Sequence, residues 1–266
     1  MIKLRYKKSK DGKHFADTKK RTKHRKIKLG LYPLFLIISI IITAVCIIYI
    51  YNWEKDRKHS EKIMNVIKDV SSENIGEKID DKKINFEGLK NINKDVVGWI
   101  KVNNTNIDYP VVKGNDNNFY LNHSFDKEYS AHGWPFIDYE AKLDGTDKNI
   151  TIYGHNIKDG SMFGSLKNIL NSDWYENEEN LIVNYTTEKE NQKYKVFSIY
   201  RIEKETYYTN NYFKNEKEYK DFLNQLKTRS IVDFKEEVNE KDTILTLSTC
   251  ADNNKYRVVL HAKKIE

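Results

Sequence analysis

A mainly β fold covered by a few helices is predicted by three features of this 266-residue chain. From Gly98 onward, short runs rich in β-branched and aromatic residues alternate with Asn, Asp and Gly turns. Two amphipathic segments of helical period interrupt those runs, and residues 31–92 have membrane-spanning and then helical patterning.

The first thirty residues hold thirteen Lys or Arg against two Asp, a surplus of +11. The whole chain carries +7, so residues 31–266 carry −4. The basicity therefore belongs to the tail, where it acts as a topology determinant beside anionic headgroups, and a nucleic-acid partner is not expected. Residues 31–51, "LYPLFLIISIIITAVCIIYIY", are uncharged. At ~1.5 Å per residue they reach roughly 31 Å as a helix, enough to cross a hydrocarbon core. The exit "IYIYNWEKD" has no small-x-small pattern, which favours an uncleaved signal anchor over a cleaved signal peptide. Positive-inside bias then keeps residues 1–30 cytoplasmic and everything from Asn52 outside, on a single-pass cell-membrane protein.

Residues 52–92 read as a helical stalk or cap, with Ile63, Met64, Val66, Ile67 and Val70 on one face. Residues 93–266 form the remaining domain. Its eight β runs are "GWIKV", "IDYPVV", "GWPFIDY", "NITIYG", "NLIVNYTT", "KYKVFSIYRIE", "TILTLSTC" and "YRVVLHAKK". A closed barrel and a sandwich both satisfy this pattern. The helical inserts are "SMFGSLKNIL", with Met162, Phe163, Leu166, Ile169 and Leu170 on one face, and "NEKEYKDFLNQLKTR", with Tyr219, Phe222, Leu223 and Leu226 at i, i+3, i+4, i+7.

The chain has two cysteines, and Cys46 lies in the apolar span, so Cys250 has no intramolecular disulfide partner outside. A solitary thiol there is either buried packing or chemistry. Period-2 alternation puts Thr246, Ser248 and Cys250 on one face of their strand. The turn "ADNNKY" returns the next strand antiparallel, which brings Arg257 across from Cys250. A guanidinium there favours the thiolate and can bond a developing oxyanion, although a lone Arg at a strand start also serves as surface charge.

Thiol chemistry needs an acid or base, most often His. Five histidines lie beyond the span: His59, His123, His132, His155 and His261. His261 lies four residues along the strand from Arg257, ~13 Å away, and reads as a wall residue. His155 ends "NITIYGH" at a strand tip, where a site can be assembled, whereas His123 and His132 sit in a loop-rich stretch and can be ordinary exposed residues. No Cys/His ligand cluster or Ca²⁺-loop pattern appears, so neither a metal nor a cofactor is expected.

"TLSTC" followed by Arg257, with "YGHN" upstream, resembles the sortase family, the cysteine transpeptidases of Gram-positive cell surfaces, over Val97 to Lys264. Ser248 within the motif, Asn156 after the histidine, the N-terminal helical region and the helix at 216–228 resemble class B. The resemblance implies an eight-stranded barrel with N-terminal helices and a helix between strands six and seven. It implies His155 as acid/base, Cys250 as nucleophile and Arg257 as oxyanion donor. The substrate would be a secreted protein with a C-terminal sorting motif, joined through its Thr carboxyl to a cell-wall peptide amine.

Ser248 is a weaker candidate for shaping the site. Tyr207, Tyr208 and Tyr212 offer flat amphipathic surfaces to an extended peptide. Two rivals share these residues: a surface cysteine peptidase that releases its product to water, and a tethered binding domain with an inert buried Cys250.

Overall fold

The structure, a computed structural model, describes the backbone of residues 7–72, 84–251 and 255–265 and the side chains of 32–72, 84–249 and 255–265. Much of the basic tail, part of the stalk (73–83), the turn residues 252–254 and the Cys250 thiol lie outside the described residues and side chains. Two compact units divide between Lys55 and Asp56.

In the first unit, helix α1 (Lys7–Ser72) carries the apolar stretch, whose side chains from Tyr32 to Tyr51 are exposed. It is the one helix among the described residues long and apolar enough to cross a membrane.

In the second unit, the last turns of α1 pack on the barrel core through Ile67, Ile63 and Met64. Val66, expected on the same face, is 39% exposed. At about 100° per residue it falls to the side of the stripe formed by 63, 67 and 70. Helix α2 (Phe86–Ile92) follows, with Asn85 accepting from the Gly88 N–H at its N-terminus.

Eight strands then close a barrel: β1 (Val96–Val102), β2 (Asp108–Val112), β3 (Phe136–Ile137), β4 (Asn149–Gly154), β5 (Ile182–Thr186), β6 (Asn191–Glu203), β7 (Ile244–Ala251) and β8 (Tyr256–Lys264). Their order around it is β1-β2-β3-β4-β7-β8-β6-β5, with β2/β3 and β4/β7 parallel and the remaining pairs antiparallel. Closure removes the free sheet edges that a sandwich would leave, and each predicted run supplies one strand. Inward side chains such as Ile100, Val111, Ile152, Leu245, Leu247, Val258 and Leu260 fill the interior.

The insert at 161–170 is not an α-helix. Met162 has φ +51°, and Gly164 lies so close to the Ile157 carbonyl that a Cβ would stand 2.2 Å from its oxygen. The chain leaves this tight turn as a 3-10 helix, Gly164–Leu170, which buries Leu166 and Ile169, three residues apart, as a three-residue turn requires. One α turn, α3 (Ser172–Tyr175), follows it.

Helix α4 (Glu216–Arg229) lies between β6 and β7. Asn215 caps it, Glu216 and Glu218 occupy its first turn, and Lys227 and Arg229 its last, all favourable to the helix dipole. It buries Tyr219, Phe222, Leu223 and Leu226 against Phe197, Tyr200, Tyr208, Ile244 and Val259. Each such side chain contributes roughly 1.5–3 kcal/mol. Strand β7 is therefore covered on both faces.

Candidate active site

Three neighbouring strands set the site. In the parallel β4/β7 ladder the last registered pair is Gly154↔Thr249, and in the antiparallel β7/β8 ladder Cys250 pairs with Arg257. His155 and Cys250 each stand one position beyond the Gly154↔Thr249 pair. Continuing that register, His155, one residue past the end of β4, falls in a row with Cys250 of β7 and its registered partner Arg257 of β8, on strands about 4.8 Å apart. Thr249 closes the row from beneath, its hydroxyl donating to the Gly154 carbonyl at 2.6 Å. Strand alternation puts Thr249 on the face opposite Thr246, Ser248 and Cys250; what it bonds depends on β4 lying alongside, which no local pattern states.

Gly154 is required there, because a Cβ would lie 2.4 Å from the Phe163 ring. The Phe163 N–H donates to the His155 carbonyl at 2.9 Å, so the turn after β4 fixes the His155 backbone. The imidazole is half-buried, with Nε2 2.6 Å from the Leu121 carbonyl oxygen. Arg257 is half-buried on β8 and donates from Nη1 to the Tyr256 carbonyl at 3.0 Å.

Beneath β7 runs a buried chain of hydrogen bonds. The Thr246 hydroxyl donates to Asn149 Oδ1 at 2.6 Å, and the Asn149 amide donates to the carbonyls of Tyr208 and Asn210, both at 3.0 Å. Thr246 has one proton and has spent it, so His261 Nδ1, 2.9 Å away, is the donor of that pair. His261 Nε2 is then the acceptor from the Tyr200 hydroxyl at 2.8 Å. Burial, and secondarily the Arg229 charge, hold the His261 pKa down to about 3. This histidine is a neutral structural link, in keeping with its reading as a wall residue.

Tyr208 and Ser248 are both 2% exposed, and their hydroxyls bond each other at 2.9 Å. In this structure they tie the β6–α4 connection to the strand carrying Cys250 and offer no surface to a peptide. Tyr207 and Tyr212 are 37% and 69% exposed, and the Arg229 guanidinium lies 5.2 Å over the Tyr207 ring. His132, which the sequence allowed to be an ordinary exposed residue, is buried, and His123 stacks on Phe119 at 4.0 Å between centroids.

A family model of the sortase domain matches residues 100–265. Among curated proteins, sortase B of Staphylococcus aureus is 32% identical over 242 residues, covering 90% of this chain and 97% of its own. The chain belongs to class B of the sortase family.

Among solved structures, a Staphylococcus aureus sortase B–substrate complex is 32% identical at a TM-score of 0.69, over 80% of this chain and 97% of that one. A sortase B complexed with triglycine is likewise 32% identical at 0.69, over 80% and 98%. The chain is accordingly a cysteine transpeptidase of cell-wall sorting. The enzyme's barrel, with helices before β1 and a helix between β6 and β7, is the fold that its sequence resemblance implied.

Proposed function

We propose that this sortase is held in the membrane by residues 31–51, with residues 1–30 cytoplasmic and the catalytic domain, residues 93–266, outside on its helical stalk. The sequence pattern supports this reading, as does the exposed apolar helix. Within that helix the Thr43 hydroxyl donates to the Ser39 carbonyl at 2.8 Å, which satisfies a polar group that lipid could not.

The substrate is a secreted protein with a C-terminal motif of the form N/L/S-P-x-T-G/N. The Cys250 thiolate attacks the Thr carbonyl carbon, and the Arg257 guanidinium stabilises the oxyanion. As the intermediate collapses, the C–N electron pair leaves on the amine, which takes a proton from protonated His155, and a thioester remains on Cys250. A cell-wall peptide amine then attacks the thioester, gives its proton to His155, and expels the thiolate as the new amide forms. The observation that carries this assignment is the row His155, Cys250, Arg257 across adjacent strands. The triglycine bound to a similar sortase B favours an amine acceptor.

Tyr207 and Tyr212, exposed on the β6–α4 connection, meet the extended peptide in this reading. Sorting peptide is incubated with full-length enzyme in detergent, with and without an oligoglycine amine. The expected product with amine is the new amide; acid alone in both arms would make the enzyme a peptidase.

A further inference from the structure

The loop 116–134 reaches the one histidine in the row, and it does so with a main-chain group. The Leu121 carbonyl oxygen lies 2.6 Å from His155 Nε2. A carbonyl only accepts, so Nε2 carries a proton whenever this bond is made. The Cδ2–Nε2 edge of the ring is then committed to the loop, and Nδ1 is left on the opposite edge.

This carbonyl is held on several sides. Phe119–Leu121 is a 3-10 turn whose approach is fixed by Asp116 Oδ1, which accepts from the Asn118 and Phe119 N–H groups at 2.7 and 2.8 Å. The Trp134 N–H donates to the Tyr120 carbonyl at 2.9 Å, and Ser130 N–H to the Asn122 carbonyl at 3.0 Å. Between the two arms of the loop sits Gly133, with φ +59°. A Cβ there would stand 2.6 Å from the Tyr120 oxygen, 2.8 Å from the Leu121 oxygen and 2.9 Å from His155 Cδ2. Two of those three atoms are backbone and the third belongs to the ring itself. A side chain at 133 therefore forces a shift among the backbone of 133, the Tyr120 and Leu121 carbonyls and the imidazole, and all of these meet at the Leu121–His155 contact.

We infer that Leu121, through its carbonyl, and Gly133, through its missing side chain, are positioning residues for His155, fixing the Nε2–H tautomer so that Nδ1 is the nitrogen that exchanges the proton. The proton-transfer part of this inference rests on the acid/base role proposed above; the tautomer does not. In the first half-reaction the imidazolium gives its Nδ1 proton to the departing amine while Nε2–H stays on Leu121. In the second, neutral Nδ1 takes the proton of the incoming amine. The ring thus changes charge without turning over, because its Nε2 bond persists in both states.

The test uses the full-length enzyme in detergent, labelled with ¹⁵N-histidine, and long-range ¹H–¹⁵N correlation spectra in which His155 is assigned by its loss in His155→Gln. The neutral ring is expected to show a pyrrole-type shift at Nε2 and a pyridine-type shift at Nδ1. Gly133→Ala should lower kcat by about 10- to 100-fold with a much smaller change in KM, the scale of loss that an ångström of misplacement produces. It should also mix the His155 tautomers while the other histidine signals keep their positions. Should Gly133→Ala fail to fold, Gly133→Asn tolerates the positive φ but keeps the offending Cβ and carries the same expectation. An Nδ1–H tautomer in the wild-type enzyme, or a folded Gly133 variant with unchanged kcat and an unchanged His155 spectrum, overturns the inference. Full cleavage by His155→Gln would instead remove the acid/base role and leave the tautomer result standing.

Discussion

The Tyr208 hydroxyl and the Ser248 hydroxyl of β7 bond each other at 2.9 Å, both essentially closed to solvent. One belongs to the connection before α4 and the other to the motif that ends in Cys250, so this bond couples them directly, beside the link through Thr246 and Asn149. Tyr208→Phe strands the Ser248 hydroxyl and should cost about 1–3 kcal/mol, read by urea unfolding. Adding Ser248→Ala removes both partners, and the double variant should be less destabilised than the sum of the singles. Strict additivity would mean that the bond contributes nothing.

His261 sets a pH dependence of stability. Its folded pKa of about 3 lies below the ordinary 6.5, so the unfolded chain binds a proton that the folded chain refuses. Stability should be level in this respect above about pH 6.5 and fall as pH drops toward about 3, by up to about 1.4 kcal/mol per unit. Between about pH 6.5 and 5 most carboxylates stay ionised, and comparison with a variant that lacks His261 separates its effect from that of the other histidines. In His261→Gln, urea midpoints should depend less steeply on pH across that window; an unchanged slope would place the acid sensitivity elsewhere.

Arg257 tests the oxyanion role. Arg257→Lys keeps the charge but loses the fixed fork of donors, and it should lower kcat on the order of 10²-fold with a smaller rise in KM. Steady-state cleavage of a sorting peptide reads both constants. Near-normal kcat would reduce Arg257 to substrate positioning or surface charge.

Much of this architecture is written locally. The face of α4 is legible because Tyr219, Phe222, Leu223 and Leu226 keep a helical period, and the Cys250–Arg257 pairing because the two lie seven positions apart in the sequence. The same logic misplaces Val66, which lies beside the stripe, and at 161–170 it gives a helical segment without its pitch, which is 3-10 over Gly164–Leu170. What stayed hidden depends on contacts distant in the chain. Leu121 meets His155 across 34 residues through a carbonyl that every residue possesses, and Thr246 meets Asn149 across 97. Tyr208 looked like a substrate surface because an aromatic cluster in a connection gives no sign of which ring turns inward.

The proposed transfer requires a thioester on Cys250 that an amine resolves. Intact-protein mass spectrometry of the full-length enzyme, mixed rapidly with sorting peptide, reads it directly. The enzyme should gain the mass of the peptide's N-terminal acyl fragment, mapped to Cys250 by digestion, and lose it on addition of an oligoglycine amine as the ligated peptide appears. No adduct should form in Cys250→Ala. An adduct on another residue, or peptide cleavage persisting in Cys250→Ala, would contradict the account.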